Sequence, residues 1–204
     1  AAKYLEQALQ QGALSPQAAA AMREDMSQLL IATGDPDAVI RGLEGTVRGD
    51  ENAPLAQQAA LGAAYASKQR WREALPLLQR AVSRSPQPEE NWLRALLATH
   101  IALRQNSEAA VVVEKLLARS PGERDYWLQG AALYTEAGNH RRAQALMEVA
   151  ARLGHLSTAE DLQRLAGLTA RVGAPYHAGA LMQEWIEDGR VPRNADTLRQ
   201  LASY

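Results

Sequence analysis

Positions 74, 109, 143 and 178 are all alanine, and the steps between them are 35, 34 and 35 residues. A recurring phrase surrounds each one. It reads small residue, Tyr, polar turn, Glu or Arg before Ala, then a closing Ala and often Pro. Its best copy is Leu61-Gly62-Ala63-Ala64-Tyr65, followed by Glu73-Ala74, Leu78, Ala81 and Pro86. A return of this length is the signature of stacked helix pairs, because one pair cannot bury its own apolar stripe and needs a neighbour to cover it. The period therefore predicts an all-α chain, an α-solenoid of antiparallel helix pairs in a single array. No stretch alternates with a period of two, so no strand is expected.

Turn and cap signals divide the 204 residues. A leading helix over Ala2–Gln11, within segment 1–14, has Tyr4, Leu5, Ala8 and Leu9 on one face and stops at Gly12. Ser15-Pro16 pairs an N-cap with a proline at the first helical position. Gly34-Asp35-Pro36 repeats the device, so 15–50 reads as a degenerate repeat. Repeats follow over 55–88, 89–123, 124–157 and 158–192, the last opening on a Ser157-Thr158-Ala159-Glu160 capping box. Residues 193–204 form the first helix of a truncated repeat, with Leu198, Leu201 and Ala202 as an apolar stripe. A natural array ends in a polar outer face. The stripe is thus expected to be covered, either by further chain or through self-association.

Composition narrows function by exclusion. The net charge is −1, which supplies no field for nucleic acid or an acidic membrane. The doublets Arg70/Arg72 and Arg141/Arg142 flank turns and read as solvated. No apolar run is long enough to span a membrane. Cysteine is absent, which removes thiol chemistry and fits an oxidising compartment. The chain begins Ala1-Ala2-Lys3, so it reads as a processed form whose targeting segment is out of view.

No catalytic residue, metal ligand or cofactor is expected. His100, His140, His155 and His177 contain no pair at the i, i+4 spacing of a helical zinc site. Phosphate-loop, dinucleotide and nucleophile-elbow motifs are missing. Adjacent carboxylates such as Glu24/Asp25 and Glu187/Asp188 read as solvated helix surface. Trp92, Trp127 and Trp185 fall at repeat positions, which favours core packing.

With these positions laid out, the chain resembles the tetratricopeptide repeat (TPR) proteins. Trp127, Ala131, Tyr134, Gly138, Ala143, Met147 and Ala150 match the family pattern, as do Leu61, Gly62, Tyr65, Ala74, Leu78, Ala81 and Pro86. Departures are Gln58 in place of a large aromatic, Thr99 in place of Tyr, and an extra residue near Asn106. The resemblance implies a right-handed superhelix whose concave groove is lined by the first helix of each repeat and holds a protein or peptide partner. It puts Ala56, Ala59, Ala63 and Ala66 at an apolar end. Toward a polar, Arg-bearing end come Arg94, Leu97, His100, Asp125, Gln129, Gln163, Arg164 and Arg171. The Asn/Lys clamp of chaperone-binding members is absent, since Ala63, Leu97, Ala132 and Gly167 occupy its positions.

A narrower similarity covers Gly173-Ala174-Pro175-Tyr176, Ala178, Leu181 and Gly189-Arg190-Val191. These look like a segment of bacterial envelope TPR proteins associated with TonB-type energy-transducing import systems. That implies a periplasmic, non-catalytic scaffold. The alternative in the same fold is an assembly module acting by end-to-end stacking or dimerisation, such as the periplasmic repeat domain of an exopolysaccharide secretion protein.

Overall fold

The structure is a computed structural model that describes residues 15–204; the expected helix over 2–11 lies outside them. The described residues hold eleven α-helices and no strand. They are α1 (Pro16–Thr33), α2 (Pro36–Val47), α3 (Leu55–Ser67), α4 (Trp71–Arg84), α5 (Glu90–Ala102), α6 (Asn106–Arg119), α7 (Arg124–Glu136), α8 (His140–Arg152), α9 (Ala159–Arg171), α10 (Pro175–Glu187) and α11 (Ala195–Ala202). The described residues fall into two compact units, divided between residues 104 and 105.

The helix starts follow local chemistry. Ser15 Oγ accepts the Ala18 N–H at 3.2 Å with Pro16 at the first helical position. Asp35 Oδ1 accepts the Asp37 N–H at 3.0 Å ahead of Pro36. In α9 the capping box is one residue later than the sequence suggested. Thr158 Oγ1 accepts the Asp161 N–H at 3.2 Å, and Asp161 Oδ2 accepts the Thr158 N–H at 3.4 Å. Asn194 and Thr197 form a second box at α11.

In the first unit every helix packs on the next, and α3 also touches α1 and α5. The core is Leu43, Val47, Leu61, Tyr65, Ala74, Leu78, Ala81 and Leu93, each at most 1% exposed. Two crossings are close: a Cβ on Gly42 of α2 would press on Leu30 of α1, and the α3–α4 crossing is similar. A Cβ on Gly62 would lie 2.7 Å from Leu78 Cγ and 3.3 Å from the Ala74 carbonyl oxygen.

The second unit runs α6 against α7, then α8, α9, α10 and α11, each on its predecessor. Val113, Leu116, Ala143, Met147, Ala150, Ala166, Ala178 and Met182 are fully buried. Here Gly130 provides the close approach, its Cβ position lying 3.1 Å from Leu146 Cδ1 and 3.2 Å from Val113 Cγ1. The stripe on α11 is partly covered: Leu201 Cδ1 and Tyr204 Cβ lie 4.0 and 3.6 Å from the Cβ position of Gly179. Leu198 stays 41% exposed.

A second period accompanies the alanines. The chain turns left-handed one or two residues past each first helix, at Gly34, Gln69, Arg104, Gly138 and Gly173, with φ of 63°, 60°, 57°, 76° and 97°. Two of these five are not glycine, and a side chain in this region costs of order 1–2 kcal/mol. Gln69 is exposed, so removing its side chain breaks no packing. Gln69→Gly should raise stability by about 0.5–1 kcal/mol, the strain relief exceeding the added unfolded-state entropy. A urea midpoint at or below that of the parent would contradict this.

Candidate partner-binding surface

In the first unit the outer face of α3 carries small side chains, Ala56, Ala60, Ala63 and Ser67, with Ala59, expected in the groove, buried beneath them at 1% exposure. Because they are short, this face lies below its neighbours and becomes a floor. Ile31, Pro36 and Val39 from α1 and α2 wall one side. Trp92 and Asn91 at the start of α5 wall the other, with Glu89 beside them. The resulting pocket holds about 320 Å³. Trp92 is only half-buried and lines this pocket, so it is not the core residue its repeat position suggested. Ile31 remains 38% exposed, an apolar side chain facing water.

The residues expected in the groove separate on inspection. Leu97 and His100 are buried, at 6% and 3% exposure, and present no surface to a partner. Ala66 is buried as well. Arg94 is exposed and pairs with Glu90 at 2.9 Å, one turn before it. In the second unit, Asp125 and Arg171 are exposed and Gln129 and Gln163 half-buried. Arg164 is exposed and pairs with Glu160 at 3.0 Å. Exposed pairs of this kind contribute about 0–1 kcal/mol, so both arginines can exchange partners at little cost.

The turn arginines are not simply solvated. Arg70 is bidentate to Glu73, with both contacts 2.7 Å, and lies 4.2 Å over the Tyr65 ring. Tyr65 donates its hydroxyl to Glu44 Oε1 at 2.7 Å, and Arg48 joins Glu44 at 3.1 Å. Burial, then the bond to Glu44, pushes the Tyr65 phenol up to about 12. That same hydrogen bond holds the Glu44 carboxyl below its ordinary range. The second unit repeats the device: Tyr134 donates to Glu114 at 2.7 Å, and Arg142 donates to the Tyr134 oxygen at 2.8 Å. A sequence signal existed, a Glu 20 or 21 residues before each Tyr and an Arg shortly after.

Three further ties escaped the sequence reading. Gln58, where an aromatic is missing, is fully buried and donates to the Ala53 carbonyl at 2.6 Å. Trp127 does the same in its own repeat, donating from Nε1 to the Pro121 carbonyl at 2.9 Å, and its ring stacks on His155 at 6.2 Å. Arg124, at the start of α7, reaches the buried Asp161 of α9 at 2.6 Å and the His155 carbonyl at 2.9 Å. Burial alone would push the Asp161 carboxyl up, but the hydrogen bonds from Arg124 and Thr158 outweigh it and hold it below the usual carboxylate range.

These helix pairs define a TPR-like helical-repeat protein. No protein-family model and no curated protein sequence matches the chain. Solved structures do. A chain in the structure of Naa15/Naa10 bound to HypK-THB superposes with a TM-score of 0.70 over 100% of this chain at 17% identity, and this chain spans 31% of that one. MamA AMB-1 gives 0.58 at 15% identity, covering 89% of this chain and 88% of its own. MamA 41-end from Desulfovibrio magneticus RS-1 gives 0.51 at 18% identity, covering 86% and 97%. At these identities the likeness is one of fold. Among the described residues no helix is long and apolar enough to cross a membrane.

The Arg124–Asp161 tie has a definite pH signature. A carboxyl lowered on folding adds stability that is fully present above its unfolded value of about 3.9 and is lost as pH falls through the lower folded value. Asp161→Asn should therefore reduce stability at neutral pH and flatten the decline below about pH 4. Urea melts of both proteins from pH 6 to pH 2 check this, and parallel curves would contradict it.

Proposed function

We propose that this chain is a non-catalytic protein–protein interaction scaffold that holds a peptide or helix of a partner on the surface formed by the first helices of its pairs. The observation that supports this best is the pocket over α3. It has an alanine floor, apolar walls from Ile31, Val39 and Trp92, and an open top. An amphipathic helix laid on such a floor approaches closely and inserts its apolar side chains, the helix-in-groove mode of recognition. The fold fits this reading, since stacked helix pairs offer extended surfaces rather than a closed reaction cleft. A solved structure of similar fold is itself a complex, Naa15/Naa10 bound to HypK-THB.

Within that reading we assign the chain to the bacterial periplasm, as an accessory of a TonB-type import complex. Support comes from the resemblance of the segment from Gly173 to Val191. In it Tyr176 is 90% exposed, an aromatic ring offered to a partner, while Val191 is fully buried and donates its N–H to the Trp185 carbonyl at 2.8 Å. Self-association through α11 is the second reading, and the exposed Leu198 is the observation in its favour.

Affinity purification of the native full-length protein from its own organism tests the proposal. Ala60→Glu places a charge on the pocket floor, and Arg94→Glu with Arg164→Glu reverses the exposed cations. Exposed changes rarely move stability by more than about 0.5 kcal/mol, so thermal midpoints should hold. A partner from the import complex, captured by the parent and lost with Ala60→Glu, is the expected result. Capture indifferent to all three substitutions, with intact folds, would overturn the groove reading. Fractionation of the same cells checks the compartment, and recovery in the cytoplasm alone would overturn the periplasmic assignment.

A further inference from the structure

The pocket has a charge pattern that the apolar floor does not explain. Glu89 is the charged residue among its lining side chains, and no lysine or arginine lines it. Among the described residues no cation pairs with the Glu89 carboxylate. The nearby charges are also weighted to one sign. Asp35 caps α2, Asp37 is joined to Lys68 at 2.7 Å, and Glu90 is joined to Arg94 at 2.9 Å. The two cations named here are thus already paired with other carboxylates. The other polar lining groups are modest: Ser67 donates to the Ala64 carbonyl at 2.8 Å, and Asn91 Oδ1 accepts the Trp92 N–H at 2.7 Å.

Size decides between two kinds of occupant. About 320 Å³ is at the bottom of the range for small-molecule sites, which also carry several convergent polar groups. Here the polar groups are few, Ser67 at the end of the floor and Glu89 and Asn91 at the start of α5, and the rest of the floor is alanine. The space suits the anchor side chains of a helix or peptide whose backbone stays outside. An acidic partner would bring like charge against Glu89 as water leaves the rim. A basic one completes that carboxylate, and complementarity of this sort fixes partner choice and register more than total affinity.

We infer that the occupant is a basic amphipathic segment: a bulky apolar side chain seats over Ala60 and Ala63 between Ile31 and Trp92, and a Lys or Arg about one helical turn away pairs with Glu89. This rests on the scaffold reading and adds the chemistry of the partner to it. The contact at Glu89 is the element of specificity, and the alanine floor supplies the close approach.

Selection from a library of short random peptides displayed on phage tests this without knowledge of the natural partner. The intact chain is the bait. The Ala63→Trp chain, with its pocket filled, removes peptides that bind elsewhere. Ala56→Trp, at the exposed rim, replaces it should Ala63→Trp lower the thermal midpoint. Pocket-dependent peptides should combine an apolar anchor with a neighbouring Lys or Arg. Their binding, measured by fluorescence anisotropy, should weaken by about tenfold or more with Glu89→Lys and by less with Glu89→Gln. Pocket-dependent peptides without basic residues, or indifferent to Glu89→Lys, would overturn the inference and leave the scaffold reading standing. Recovery of no pocket-dependent peptide would overturn both.

Discussion

Where α3 crosses α4, a Cβ on residue 62 would sit 2.7 Å from Leu78 Cγ and 3.3 Å from the Ala74 carbonyl oxygen. Real Cβ atoms do not approach so closely, so the two backbones meet at a separation that depends on glycine at 62 and alanine at 74. Leu78 is fully buried, in an interior that is generally close-packed. The contact fixes how α4 lies on α3, and thereby which face of α3 is left outside. That outer face is the alanine floor of the pocket. One constraint thus connects the buried side of the helix, where size must be small for packing, to its open side, where small size makes a recess.

The repeats are alike in spacing but alternate in how they finish their first helices. Tyr65 and Tyr134 reach back to Glu44 and Glu114 and carry an arginine on or beside the ring. In the other two repeats the equivalent position, the eleventh residue of the first helix, is His100 and Thr169. Both are buried; Thr169 donates its hydroxyl to the Leu165 carbonyl at 2.9 Å, and Thr99, next to His100 in the chain, donates to the Ala95 carbonyl at 2.7 Å. A buried hydroxyl needs a partner, and a threonine on a helix finds one in its own preceding turn. Tyrosine is too long for that and must go to the neighbouring helix. Two of the four repeats therefore carry a tyrosine-borne tie to the preceding helix, and Thr169 is satisfied within its own helix.

Much of this was legible in the chain. The 34- and 35-residue spacing is a property of the whole array and survives any single substitution, so the all-α class and the helix pairing followed from it. The caps at Ser15, Asp35 and Asn194 were legible because a cap is set by residues within one turn. The box at α9 was read one residue early, because Ser157 and Thr158 can each cap and the choice is made by Asp161, held from a distance by Arg124. Leu97 and His100 could not be sorted by periodicity, which says which side chains share a face and not what covers that face. Gln58 was read as a defect in the pattern. Yet it supplies, as Trp127 does, a donor to the loop that precedes its helix, a role that side-chain size does not reveal. The pocket was half visible: its alanines were in view, and Ile31 and Trp92 as its walls were not.

The close approach at Gly62 is measured most directly by a double-mutant cycle with Leu78. Gly62→Ala puts a methyl against the Leu78 side chain, and Leu78→Ala opens the space it needs. If the contact governs the packing of α3 on α4, the two changes are strongly non-additive, with a coupling of about 1–2 kcal/mol in favour of the double variant, inside the range found for residues in contact. Urea denaturation of the four proteins gives this number. Costs that add to within about 0.3 kcal/mol would show that α3 and α4 do not meet at this point.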